Sequence, residues 1–202
     1  MDWQGFRFRH PRLFASIVVL KRFRTKVARL LVAYCVIEGL LCDEIPFSFW
    51  KPNAWVITGI LLILVGCAFR LAAHGSIKKK ESLSTTGVYS LCRHPLYLGS
   101  MMLTFGFCCL LDDTENFIIA AVYFAVFYTV TIIWEEVRVA ERYGEEHRDY
   151  CRTTPLLLPT GQFRSGVFRW RGALGVDGLS LIGTTVFSLS AVEAMAELMH
   201  RH

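Results

Sequence analysis

Arg93, His94, Tyr97 and the adjacent carboxylates Glu135 and Glu136 are the residues whose types and spacing can do chemistry. The first three lie in the stretch GVYSLCRHPLYLG, residues 87–99, at the mouth of an apolar run. Ionisable groups beside a membrane-sized apolar segment are costly there and mark a site by default. Gly87 permits a turn, and Pro95 fits the first turn of a helix. If that helix takes in the preceding residues, Tyr97 shares a face with His94, three residues away, and with Arg93, four away. Arginine clamps a carboxylate bidentately, and histidine or tyrosine exchanges hydrogen bonds with a polar ligand. The same residue types also suit a plain basic and aromatic anchor at a membrane interface. Glu135 and Glu136 follow an apolar run that starts at Phe117. A cationic-aromatic cluster opposite two carboxylates suits a zwitterion that carries a carboxylate and an ammonium. S-adenosylmethionine is one such molecule, and nothing in the spacing singles it out.

The elements that must position these groups are apolar helices. Of the 202 residues 53% are hydrophobic and 19% charged, with mean hydropathy +0.40, which points away from a soluble globular protein and toward a multi-spanning membrane one. The fold class expected is all-α: a polytopic membrane bundle of about five transmembrane helices. Its candidate spans are Val27–Ile45, Ala54–Ala73, Leu96–Leu111, Phe117–Trp134 and a weaker stretch at Leu174–Met195 broken by Gly175, Gly178, Gly183 and Asp177. Residues 1–26, rich in Lys and Arg, are expected as a basic arm on an anionic leaflet, and residues 27–202 as a single membrane domain. Glu38 within the first span is expected to be neutral or paired inside the bundle, and Arg70 to snorkel toward the headgroups.

The net charge of +5 is modest, and its placement reads as topology rather than as a nucleic-acid face; no nucleic acid is expected as a partner. The arm through Arg29 holds eight Lys and Arg, residues 74–93 four and residues 135–173 seven, while the loops between hold only Lys51. These three regions are therefore placed in the cytoplasm, with Arg93, His94, Glu135 and Glu136 on one side. No cleavable signal peptide is expected, because Leu13–Leu20 leads to Lys21 and Arg22 and not to small residues. The seven cysteines show no C-x-x-C or zinc-finger spacing, and no metal site is expected. The stretch after Glu136 reads as a charged, solvated helix interrupted at Tyr143-Gly144, with Arg142 and Glu146 as an i,i+4 pair.

The segment from Gly87 through Arg93-His94-Pro95-Leu96-Tyr97 to Gly99 resembles the signature of the isoprenylcysteine carboxyl methyltransferase family, including its bacterial and archaeal members, which is related to the phospholipid methyltransferases. Glu135-Glu136, Tyr143-Gly144, then Tyr150 and Pro155, resemble that family's second block, in the same order and one helical hairpin away. The likeness covers residues 84–159. His147 stands where the family commonly has Tyr, Tyr143 replaces a common Phe, and Thr154 precedes Pro155 where Val is usual.

The resemblance implies a membrane-embedded methyltransferase that uses S-adenosylmethionine in a cytoplasmic pocket in the C-terminal half. Membrane lipids surround it, and a lipophilic or prenylated substrate reaches it from the bilayer. On that resemblance Arg93, His94, Glu135 and Glu136 are the catalytic candidates. His94, Tyr97, Leu98, Glu135, Glu136 and Tyr143 are the cofactor-binding candidates. A carboxylate acceptor needs no general base; an amine or thiol acceptor would draw on His94, Glu135 or Glu136. Three rivals stand beside carboxyl methylation: another nucleophile on the same fold, a nicotinamide-dependent membrane reductase, and a small transporter, for which the few charges within the spans give thin support. The short chain and the lack of organellar targeting signals favour a prokaryotic inner membrane.

Overall fold

The computed structural model describes residues 5–41, 53–77, 82–111 and 114–175, together with 183, 185–186 and 188–190. Among the described residues the regular structure is helical, with one isolated antiparallel bridge between Gly87 and Arg164. The helices are α1 (Phe6–Arg9), α2 (Pro11–Leu41), α3 (Ala54–Ser76), α4 (Pro95–Leu111), α5 (Thr114–Tyr123), α6 (Thr129–Tyr143), α7 (Glu145–Thr153) and α8 (Trp170–Ala173). A 3-10 turn, Val88–Ser90, precedes α4, and a π turn, Phe124–Tyr128, joins α5 to α6.

Among the described residues two helices are long and apolar enough to cross a membrane: α3, and the continuous run Thr114–Tyr143 formed by α5, the π turn and α6. The apolar helix α4 has 17 residues, about 25 Å of rise against a hydrocarbon core of roughly 30 Å. Outward-facing Trp55, Ile57, Leu61 and Leu64 on α3, and Ile118 and Val122 on α5, are exposed and apolar, as lipid-facing positions are. Helix α2 is one element that carries Lys21 and Arg22 in its middle and continues into the first expected span. The side chain of Glu38, the aromatic loop at 47–50, Lys78–Lys80, Asp112, Asp177, Gly178 and Glu193 lie outside what is described. Of the last expected span, Thr185 and Leu189 are seen beside α3: the Cys67 thiol is 3.8 Å from the Thr185 hydroxyl, and Leu189 packs on the core of Val56, Ile63, Leu103 and Leu110.

Helix α3 begins where Asn53 accepts a 2.9 Å hydrogen bond from the Val56 amide, an ordinary N-cap. It pairs with α4 through four glycines. A Cβ on Gly59 would lie 2.7 Å from the Gly106 carbonyl oxygen, and one on Gly66 would lie 2.8 Å from that of Gly99. Absent side chains let the two backbones touch, the packing that apolar helices use when burial in lipid supplies no drive. The π turn adds a residue to the α5–α6 helix, so the face of α6 is turned by about 100° relative to α5. That rotation carries Glu135 and Glu136 round toward the N-terminal end of α4. Gly144, at φ 52°, breaks the helix after α6 and allows α7 to fold back.

Candidate active site

The Arg93-His94 segment has no regular structure of its own, and the strand-like chain after α7 holds it in place. The amides of Arg93 and His94 donate to the carbonyls of Pro155 (2.9 Å) and Leu156 (3.2 Å), and the Gly161 amide donates to Leu91 (3.0 Å). The Tyr150 hydroxyl donates to the Tyr89 carbonyl at 2.5 Å. A Cβ on Gly161 would stand 2.2 Å from the Ser90 carbonyl oxygen, so this strap can lie so close only with glycine there. Pro95 then opens α4, whose first amides, Tyr97 and Leu98, donate to the His94 carbonyl at 3.1 Å.

Five of the residues singled out in the sequence meet here. The His94 ring lies between the two carboxylates, Nε2 2.9 Å from Glu136 Oε1 and Nδ1 3.6 Å from Glu135 Oε2. Tyr97 donates its hydroxyl to Glu135 Oε1 at 2.6 Å and stacks on His94. Arg93 pairs with Glu136 Oε2. Tyr128 of the π turn packs its edge against Tyr97, with centroids 5.1 Å apart. Leu98 is buried one turn beyond His94, whereas Tyr143 sits at the end of α6 under the Arg142 guanidinium, outside the hydrogen-bonded cluster. On the solvent face of α7, Glu145 pairs with Arg148 and Asp149 with Arg152.

Burial alone would lower the His94 pKa; hydrogen bonds to Glu135 and Glu136 outweigh it and raise it above the ordinary histidine value. The two carboxylates thus favour the charged form of the ring, whose Nε2 lies within hydrogen-bond reach of Glu136. Helix α2 adds two cations that the sequence reading left in the basic arm. Lys21 Nζ lies 2.7 Å from the Trp134 ring centroid, and the Arg24 guanidinium 5.9 Å from that of Tyr97. Phe6 and Ile17 anchor this end of the chain on Val137 of α6.

The reading of the sequence also left out Cys151, one turn beyond His147 on α7. His147 Nε2 is 3.5 Å from Glu136 Oε2 and 3.4 Å from Cys151 Sγ. The signal was available: His147 and Cys151 at i,i+4 share a helix face. Burial would lower the His147 pKa, but hydrogen bonds to Cys151 and Glu136 raise it to about 9. The groups facing it are Cys151 of its own helix and Glu136 of α6, with Arg93 bound to both. Stability from the charged ring is complete below the unfolded histidine value of about 6.5 and is lost as pH rises through about 9. With a chelator present, the thermal midpoint is expected to fall as the solution is taken from neutral to more alkaline than that value. His147→Gln should flatten the dependence, and an unchanged slope in the variant would contradict this account.

The phospholipid methyltransferase family profile matches residues 54–146, from the start of α3 to just past α6. The chain is 28% identical over 153 residues to the cobalt-zinc-cadmium resistance protein CzcN of Cupriavidus metallidurans, covering 75% of this chain and 70% of that protein. It is 30% identical over 142 residues to the nickel-cobalt-cadmium resistance protein NccN of Alcaligenes xylosoxydans xylosoxydans, covering 69% and 66%. It is 31% identical over 127 residues to the protein-S-isoprenylcysteine O-methyltransferase of Mus musculus, covering 55% of this chain and 45% of that enzyme. The chain thus spans about two thirds of the length of the two bacterial relatives and less than half of the mouse enzyme. No solved structure matches it. With Arg93, His94, Tyr97, Glu135 and Glu136 gathered at one end of an apolar helical hairpin, all within the matched residues 54–146, the chain is a methyltransferase of the phospholipid methyltransferase and isoprenylcysteine O-methyltransferase type.

Proposed function

We propose that the protein transfers a methyl group from S-adenosylmethionine to a lipophilic acceptor at the membrane interface, the carboxylate of an isoprenylcysteine-like group being the nearest case. The observation that carries this reading is the His94 ring held between Glu135 and Glu136 where α4 and α6 meet. The donor set fits a zwitterionic cofactor. The buried Arg93 Nε has no partner and is available to a carboxylate, and the half-exposed Glu135 carboxylate is available to an ammonium. When bound, S-adenosylmethionine supplies an electrophilic methyl group. A carboxylate acceptor arrives ionised, so the work left to the protein is orientation and exclusion of water. An amine acceptor would need a base, and Glu135, the more exposed of the two carboxylates, is the candidate.

The charge alternation supports a five-span chain with this site on the cytoplasmic side of a prokaryotic inner membrane. Two bacterial relatives are named for metal resistance, and the Glu136, His147 and Cys151 trio favours a second, metal-linked role for this chain.

The test is transfer of labelled methyl from S-adenosylmethionine to an N-acylated S-farnesylcysteine, run beside vesicles of phosphatidylethanolamine. Label is expected in the farnesylcysteine. In His94→Ala, kcat/KM should fall on the order of 100-fold or more, as when a positioned polar group is removed. Label in phosphatidylethanolamine alone would move the acceptor to a headgroup amine. Failure of well-folded wild type to bind S-adenosylmethionine would end the methyltransferase reading of this site.

A further inference from the structure

Glu136 of α6 and His147 and Cys151 of α7 present one oxygen, one nitrogen and one sulfur to a common point. Glu136 Oε2, His147 Nε2 and Cys151 Sγ form a triangle with edges of 3.5, 3.4 and 3.7 Å. A tetrahedral ion bound at 2.0–2.3 Å spaces its ligand atoms by about 3.3–3.7 Å, so the triangle matches one face of such a tetrahedron. Glu136 and His147 are buried and Cys151 is half-buried. We propose that this trio is a binding site for a divalent transition-metal ion of borderline softness, such as zinc, cobalt or cadmium, in competition with Arg93 for Glu136.

A mixed thiolate, imidazole and carboxylate set prefers such ions over magnesium or calcium, and three protein ligands leave a fourth position open. Arg93 marks where the ion would lie. Its Nη1 bonds to Glu136 Oε2 and stands 2.7 Å from Cys151 Sγ, bridging two of the three ligand atoms. The same guanidinium leaves its buried Nε without a hydrogen-bond partner, so its own bonding here is incomplete. An ion at the trio would displace Arg93, and both the thiol proton of Cys151 and the imidazolium proton of His147 would leave to solvent as the thiolate and neutral imidazole bind. Glu136 also holds His94, so occupation would take from the methyl-transfer cluster the carboxylate that orders it. This last consequence rests on the function proposed above; the ion site does not.

Full-length protein in nanodiscs, stripped of metal, is titrated with Co²⁺ and followed by absorbance. One equivalent should bind, with a sulfur-to-cobalt charge-transfer band and the visible bands of tetrahedral cobalt. Cys151→Ser should lose the charge-transfer band. His147→Ala should weaken binding at least about 10- to 100-fold, the loss that even outer partners of a metal ligand produce. Arg93→Ala should tighten binding at least about tenfold, because it removes the competing cation. Circular dichroism confirms that each variant is folded. Absence of the band in folded wild type, or its persistence in Cys151→Ser, overturns the site, and unchanged affinity in folded Arg93→Ala overturns the competition. Zinc should also lower methyl transfer in wild type more than in Cys151→Ser. If wild type proves to have no methyl transfer, the cobalt spectra still decide the ion site.

Discussion

Glu136→Ala is expected to bring methyl transfer below detection and to destabilise the protein by about 3–5 kcal/mol, the usual result of leaving a buried charge unpaired. The side chain is 3% exposed and binds Arg93, His94 and His147 together. Removing it leaves buried positive groups facing one another, which is worse than the loss of any single hydrogen bond. Glu136→Gln keeps the shape and one acceptor, so its stability should fall between the two while cofactor binding is still lost. Denaturant unfolding in detergent with calorimetry of S-adenosylmethionine binding separates these effects. An alanine variant with wild-type stability would mean that the cluster is solvated and not buried as described.

Gly66→Leu should be about as damaging, and for a reason unrelated to charge. A Cβ at this position meets the Gly99 carbonyl oxygen at 2.8 Å and the Leu103 amide at 2.9 Å, and backbone cannot step aside as a side chain can. Overpacking of this kind costs typically 1–3 kcal/mol, and a branched side chain facing backbone belongs at or above the top of that range. The helices would have to separate, moving the first turn of α4 with Tyr97. Activity should therefore fall with stability, whereas Gly183→Ala, whose Cβ would meet no described atom within 4 Å, should leave both unchanged. Measuring unfolding and methyl transfer on both variants checks the prediction; a Gly66→Leu protein as stable as wild type would refute the close contact.

These cases show which features were legible in the sequence. Pro95 and Asn53 announce the starts of α4 and α3 by local chemistry that any context respects. The proximity of Arg93, His94 and Tyr97 to Glu135 and Glu136 follows once the two apolar runs form a hairpin. The seven-residue spacing of Gly59 to Gly66 and of Gly99 to Gly106 was readable but outshone by glycines nearer the C-terminus. The π turn was not readable, since Phe124–Tyr128 is apolar and aromatic like its neighbours and only tertiary packing selects the extra residue. The strap through Gly161 was equally hidden, because backbone bonds between distant irregular segments leave no periodic trace. Lys21 and Arg24 carry no mark that separates a membrane-surface cation from one turned onto an aromatic ring.

The strap also sets an order of events during biosynthesis. Arg93 and His94 emerge from the ribosome roughly sixty residues before Pro155 and Leu156, which hold them. At about 5–20 residues per second, α3 and α4 are complete for several seconds while the segment between them lacks its hydrogen-bond partners. The α3–α4 pair is therefore made before the candidate site can close, and on the function proposed above a chain stopped after α6 should lack activity.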